Sequence, residues 1–136
     1  MGEVTLKQRI QNNVKVIAIV EDDANLAIMF EDMLGRIGNG KWQFHTFADG
    51  HEAMKHLPQL GAHLILLDVG LPSLDGVSLF KLLRGYSSTK NTPIIVITGS
   101  YDWELHRLGL QGGWLLHKPF EIKELLEIVH ALLPVG

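Results

Sequence analysis

His63-Leu64-Ile65-Leu66-Leu67-Asp68 is the stretch on which the fold turns, and it runs on into Val69-Gly70-Leu71-Pro72. Aliphatic residues follow one another from Leu64 to Leu67 with no polar residue between them. Such a run reads as a strand covered on both faces, the habit of a parallel sheet. Gly70 and Pro72 then end the strand and open a loop. Asp68 is thereby placed at the carboxyl end of a central strand, where open α/β sheets hold their ligands. A lone aspartate there could simply cap the next turn, so the other strand ends decide the matter.

Outward from this stretch, strands and helices alternate. Toward the N-terminus, Val14-Lys15-Val16-Ile17-Ala18-Ile19-Val20 reads as a strand that ends in Glu21-Asp22-Asp23. A helix follows over about 24–37, with Leu26, Phe30, Met33, Leu34 and Ile37 on one face, and Gly38-Asn39-Gly40 stops it. Residues 42–48 form a more polar strand, suited to an edge. A helix over 50–57 turns Ala53, Met54 and Leu57 inward, with Pro58 near its end. Beyond Asp68 come a helix over 76–84 carrying Leu79, Phe80 and Leu83, a polar loop over 86–92, and a buried strand over 93–98. A short helix is expected within 101–110, a fifth strand over 114–118, and a last helix over 121–133 with Ile122, Leu125, Leu126, Val129 and Leu133 inward.

Alternation with short connections implies right-handed βαβ units and a parallel sheet. The strands beginning at 14, 63 and 93 are the most apolar and belong at the centre. The order 2-1-3-4-5 meets that condition. Its switch point falls between strands 1 and 3, whose ends carry Glu21, Asp22 and Asp68.

Composition bounds what such a crevice serves. With 136 residues, 46% hydrophobic and 20% charged, the chain is sized for one soluble domain, expected over 14–136 after a polar lead-in at 1–13. A formal charge of −3 offers no basic field for direct nucleic-acid binding. The absence of cysteine excludes disulfides, thiolate metal sites and cysteine nucleophiles. No run approaches the length of a membrane span, and the first residues lack the apolar centre of a signal peptide, so no membrane insertion and a cytoplasmic location are expected.

Glu21, Asp22 and Asp68 would crowd negative charge into one crevice, a costly arrangement unless a cation offsets it. Hard carboxylate oxygens suit Mg²⁺, which keeps some of its waters and readily shares a phosphate oxygen. A carboxylate beside such an ion can attack an activated phosphoryl group. Thr98 and Lys118, at the ends of the remaining two central and edge strands, supply a hydroxyl and an ammonium for the transferred oxygens.

Over about 14–134 the chain resembles the receiver domain of two-component response regulators. The motifs that carry the resemblance are Ile19-Val20-Glu21-Asp22-Asp23, Leu66-Leu67-Asp68-Val69-Gly70-Leu71-Pro72-Ser73-Leu74-Asp75-Gly76, Ile97-Thr98-Gly99 and His117-Lys118-Pro119-Phe120. The resemblance implies a flavodoxin-like (βα)5 three-layer sandwich with that same strand order, so the two expectations are not independent. It implies Asp68 as phosphoacceptor, with Glu21, Asp22, Asp68 and the Gly70 carbonyl as Mg²⁺ ligands. Thr98 and Lys118 would bind the phosphoryl group, and Lys118–Pro119 would be cis. The donor would be a histidine kinase or a histidine phosphotransfer protein. A downstream effector would use the face made by the helix within 101–110, strand 5 and the last helix.

Some residues depart from the family pattern. Glu21 stands where Asp is commoner, and Gly99 where a small Ala is usual. Leu115, three before Lys118, takes the place of the Tyr or Phe that swings inward after phosphorylation, so a response carried by residues 99–110 is expected instead. Trp114 is expected on the opposite face of its strand, and Trp103 on the solvent side of its helix. A haloacid-dehalogenase-type phosphatase also uses Asp, Mg²⁺, Thr and Lys, but it needs a second Asp where this chain has Gly70. A pseudo-receiver used only for protein binding would not need the acids and the lysine. His51 and His56 are five apart, not the four of a zinc-binding helix. Asp75 is expected to cap the helix that follows, and the histidines to be largely solvated.

Overall fold

The computed structural model describes residues 14–69, 76–99 and 113–133. Gly70, Asp75, Trp103 and the helix expected within 101–110 lie outside those residues. The described chain runs β1 (Val16–Val20), α1 (Ala24–Ile37), β2 (Gln43–Phe47), α2 (Gly50–Leu60), β3 (Leu64–Asp68), α3 (Gly76–Gly85), β4 (Ile94–Thr98), β5 (Gly113–His117) and α4 (Ile122–Leu132). All strands are parallel, in the order β2-β1-β3-β4-β5. The most apolar strands are the central ones, as a sheet covered on both faces requires.

Strand alternation sorts the core into two layers. Ile17, Ile19, Leu64, Leu66, Ile95, Ile97 and Leu116 pack under Phe30 and Leu34 of α1 and Leu125 and Val129 of α4. On the other face, Ala18, Val20, Ile65, Leu67, Ile94 and Val96 meet Ala53 and Leu57 of α2 and Leu79, Phe80 and Leu83 of α3. In α1 it is Ala27 that is buried alongside Phe30 and Leu34, while Leu26 packs against the same layer partly buried.

Aspartates start the helices that descend from the sheet's carboxyl end. Asp23 accepts from the backbone N–H of Asn25 and Leu26 at 3.0 and 3.2 Å, and Asp49 from those of His51 and Glu52 at 2.7 and 3.2 Å. Contrary to the expected end at Leu57, α2 continues through Pro58 to Leu60. Proline there forgoes one bond to the carbonyl a turn earlier, a small loss in the last turn, and Gly61 at φ 71° then closes the helix.

The loop after α3 is more than a polar connection. Thr89 is buried with its hydroxyl donating to the Leu83 carbonyl, while Arg84 donates to the carbonyls of Thr89 and Thr92 at 3.2 and 2.8 Å. Gly76 presses the start of α3 against the chain leaving β3: a Cβ there would fall 2.4 Å from Val69 Cα. Only glycine permits that approach, one residue beyond Asp68.

Candidate functional site

The site is built from the carboxyl ends of β1, β3, β4 and β5. Leaving β1, Glu21 donates its N–H to Phe47 O at 2.9 Å, which continues the β1–β2 ladder and keeps its side chain inside. It is 2% exposed, whereas Asp22 points to solvent. Asp23, next in line, spends its carboxylate on capping α1 and contributes a backbone N–H to Glu21 Oε2 at 3.2 Å. The acidic triplet is thus divided between site and scaffold.

Asp68 is the last residue of β3 and 7% exposed. Ligand oxygens of Glu21, Asp22 and Asp68 all lie within 4.8 Å of one another. The electrostatic cost falls on Glu21. Burial, then the neighbouring Asp68 carboxyl and Asp22, push its pKa up to about 8, against a smaller lowering by the Asp23 backbone N–H. Its Oε1 is buried without a hydrogen-bond donor among the described residues. The neighbouring carboxylate oxygens are themselves acceptors when ionised, so a proton or a cation would satisfy that atom. A hard divalent cation such as Mg²⁺ fits this donor set, and its charge would remove the reason for Glu21 to hold a proton.

The complementary charge enters from β5. Lys118 follows its last residue, and the Lys118 N–H donates to Thr98 O at 2.7 Å. The Lys118–Pro119 peptide is cis. Lys118 Nζ stands 3.5 Å from Asp68 Oδ2. Phe120 anchors the turn by stacking on Phe30, with ring centroids 6.4 Å apart. Thr98 ends β4 and is 1% exposed. The structure therefore gathers Glu21, Asp22, Asp68 and Lys118 at one point, with Thr98 at the end of the neighbouring strand.

Two histidines have structural environments, His63 while remaining exposed, as expected, and His117 half-buried. His63 accepts the Val16 N–H on Nδ1 at 3.0 Å and donates its own backbone N–H to Val16 O at 2.7 Å. Partial desolvation, then the charge of Lys15, lowers its pKa. His117 is half-buried, with Nε2 out of reach of solvent. Strand alternation gives the only sequence signal for either: His117 falls two residues beyond Leu115, on the same side of β5. His56 pairs with Glu52 at 3.1 Å and stacks on Phe47.

Comparison with known proteins places this geometry. The family described as response regulator receiver domain matches residues 17–130. The transcriptional regulatory protein GltR of Pseudomonas aeruginosa is 35% identical over 123 residues, covering 89% of this chain and 50% of GltR. A probable chemotaxis protein CheY of Rhizobium etli is 28% identical over 125 residues, covering 90% of this chain and 95% of that one. Among solved structures, the receiver domain of the sensor histidine kinase PA1611 from Pseudomonas aeruginosa superposes with a TM-score of 0.74 at 29% identity, covering 89% of this chain and 98% of that one. That structure has a magnesium ion coordinated in its active-site cleft. This chain spans about half the length of curated relatives such as GltR. Among the described residues, no helix is long and apolar enough to cross a membrane.

Proposed function

The chain belongs to the response regulator receiver domain family, and from that premise we propose that Asp68 is its phosphoacceptor. The observation that carries the proposal is the buried Asp68 carboxylate held between a carboxylate pair and Lys118 Nζ at 3.5 Å. A phosphohistidine on a histidine kinase or a histidine phosphotransfer protein presents its phosphorus to an Asp68 oxygen. The new O–P bond forms as the P–N bond breaks, and the imidazole nitrogen leaves with the bonding pair. Lys118 and the Thr98 hydroxyl meet the charge on the transferred oxygens.

Glu21, Asp22 and Asp68 hold Mg²⁺, with the Gly70 carbonyl as a further ligand implied by the family resemblance. When bound, the ion offsets the negative charge of acceptor and phosphoryl group alike. The domain is a signalling acceptor that takes up one group per cycle, not a turnover enzyme. Its effector docks on the face that includes β5 and α4, where Trp114 is 45% exposed.

Intact mass after incubation with a small phosphodonor tests the assignment. One phosphoryl group is expected in the presence of Mg²⁺, none with a chelator, and none on Asp68→Asn. Equal labelling of Asp68→Asn would overturn it.

A further inference from the structure

Glu21 stands just past the end of β1, where its backbone N–H donates to Phe47 O at 2.9 Å. Phe47 is the last residue of β2 and the register partner of Val20. β2 is the edge of the sheet and mostly exposed, so a single neighbouring strand holds its end. The Phe47 side chain adds to that hold. It packs against the layer that contains Val20, Ala53 and Leu57. Its ring is also stacked on the imidazole of His56 in α2, with centroids 5.6 Å apart and planes 12° from parallel. Glu52 Oε1, on the same helix, lies 3.1 Å from His56 Nε2 and fixes the ring.

We propose that Phe47 and His56 are positioning residues for the cation site, fixing the end of β2 so that the Phe47 carbonyl holds Glu21 beside Asp68. The proposal rests on the reading of Glu21, Asp22 and Asp68 as Mg²⁺ ligands. Only Ala48 and Asp49 connect β2 to α2, and Asp49 caps the helix. The ring stack is a second tie between strand and helix, made by side chains. Nearly parallel rings attract one another beyond the apolar area they bury. While the tie holds, the end of β2 opens only if the Phe47 ring also leaves α2. Without it, the Phe47 carbonyl parts from the Glu21 N–H more often, and the buried carboxylate loses its fixed backbone. A site that is formed only part of the time binds its ion more weakly, in proportion to that fraction. The Glu52–His56 pair is half-exposed at both ends, so it serves more by orienting the ring than by its charge.

The test is amide hydrogen exchange of the metal-free full chain, with Mg²⁺ affinity measured by calorimetry on the same samples. In His56→Ala, exchange at the Glu21 amide is expected to quicken by about tenfold, the worth of one aromatic contact. Mg²⁺ is expected to bind about threefold more weakly. His56→Tyr, which keeps a ring against Phe47, is expected to restore both. Val129→Ala costs stability in the other core layer and is expected to change neither, because opening at the end of β2 is local. Unchanged Glu21 exchange or unchanged affinity in His56→Ala overturns this proposal alone. Equal effects in Val129→Ala also overturn it, since the ring would then serve only general stability. Wild-type protein that binds no Mg²⁺ overturns the reading of the acidic site, and this proposal with it.

Discussion

The two ends of this sheet are made of the same strands and treat polar groups in opposite ways. At the amino end, His63 clasps Val16 through two hydrogen bonds, at 3.0 and 2.7 Å, and Gln43 N–H reaches Lys15 O at 2.8 Å. Each of these donors meets an acceptor, and the arrangement stabilises the edge. At the carboxyl end, Glu21, Asp22 and Asp68 set acceptor against acceptor, and Glu21 Oε1 is buried without a donor among the described residues. One end is settled without help. The other is arranged for a cation and an incoming anion, and the fold carries that cost through its apolar core.

The contrast is tested most strongly by pH. Burial and its acidic neighbours raise the folded pKa of Glu21 from 4.5 to about 8. Folded protein then holds a proton that unfolded protein has released, so the contribution of Glu21 to metal-free stability is fully present below pH 4.5 and is lost as pH rises toward 8. Thermal melts across that range should show the melting temperature dropping by several degrees, and saturating Mg²⁺ should flatten the slope by displacing the proton. A metal-free melting temperature that rises with pH would refute the assignment of cost to this end.

Asp68→Asn should act next in size. It removes one negative charge from the cluster and sacrifices an ion pair with Lys118, whose side chain is 38% exposed. Solvent at the Lys118 end screens the pair even though Asp68 is buried, so it contributes roughly 1 kcal/mol. Relief of repulsion outweighs it, so metal-free stability should rise by about 1–2 kcal/mol, or several degrees in a domain of this size. The pH slope should shrink in the same variant, since Asp68 is among the causes of the Glu21 shift. A clear fall in melting temperature would show that Asp68 is a structural residue.

The amino end should answer with the opposite sign. Because the pKa of His63 is lowered, its contribution is present above the ordinary value of 6.5 and is lost as pH falls through the folded pKa. His63→Ala removes an acceptor from the Val16 N–H and should cost about 1 kcal/mol at pH 8. The loss should narrow in acid, where the protonated ring no longer accepts. Urea melts at pH 8 and pH 5 would measure this difference, and an equal cost at both would remove the clasp from the account.

The smallest effect is expected at Gly99, just after Thr98. A Cβ there meets nothing within 4 Å, and its φ is not among the positive ones. Gly99→Ala should stabilise by about 0.5 kcal/mol by restricting the unfolded chain. The same substitution at Gly76 would drive a Cβ into Val69, so a matched pair of melts distinguishes open space from close approach.

Read as a string, the chain already determined a good deal. Uninterrupted aliphatic runs at 64–67 and 94–97 read as strands covered on both faces, and their apolarity placed them at the centre, which the observed order satisfies. Because parallel strands all end on one edge, the residues at their ends had to converge, which made Glu21, Asp22, Asp68, Thr98 and Lys118 legible as one group before any coordinates. Distances, burial and hydrogen-bond partners were another matter. That Asp23 caps a helix while Glu21 Oε1 is left without a donor among the described residues, that His63 clasps Val16, and that His117 lies opposite Thr98 depend on register and on which atoms exclude water. The end of α2 was misjudged for a related reason: a proline's local penalty is small in a last turn, and the fold overrides it. Pattern and composition report what each residue prefers. Only the packed structure decides which preferences are met and which, as at Glu21, are left for a ligand to satisfy.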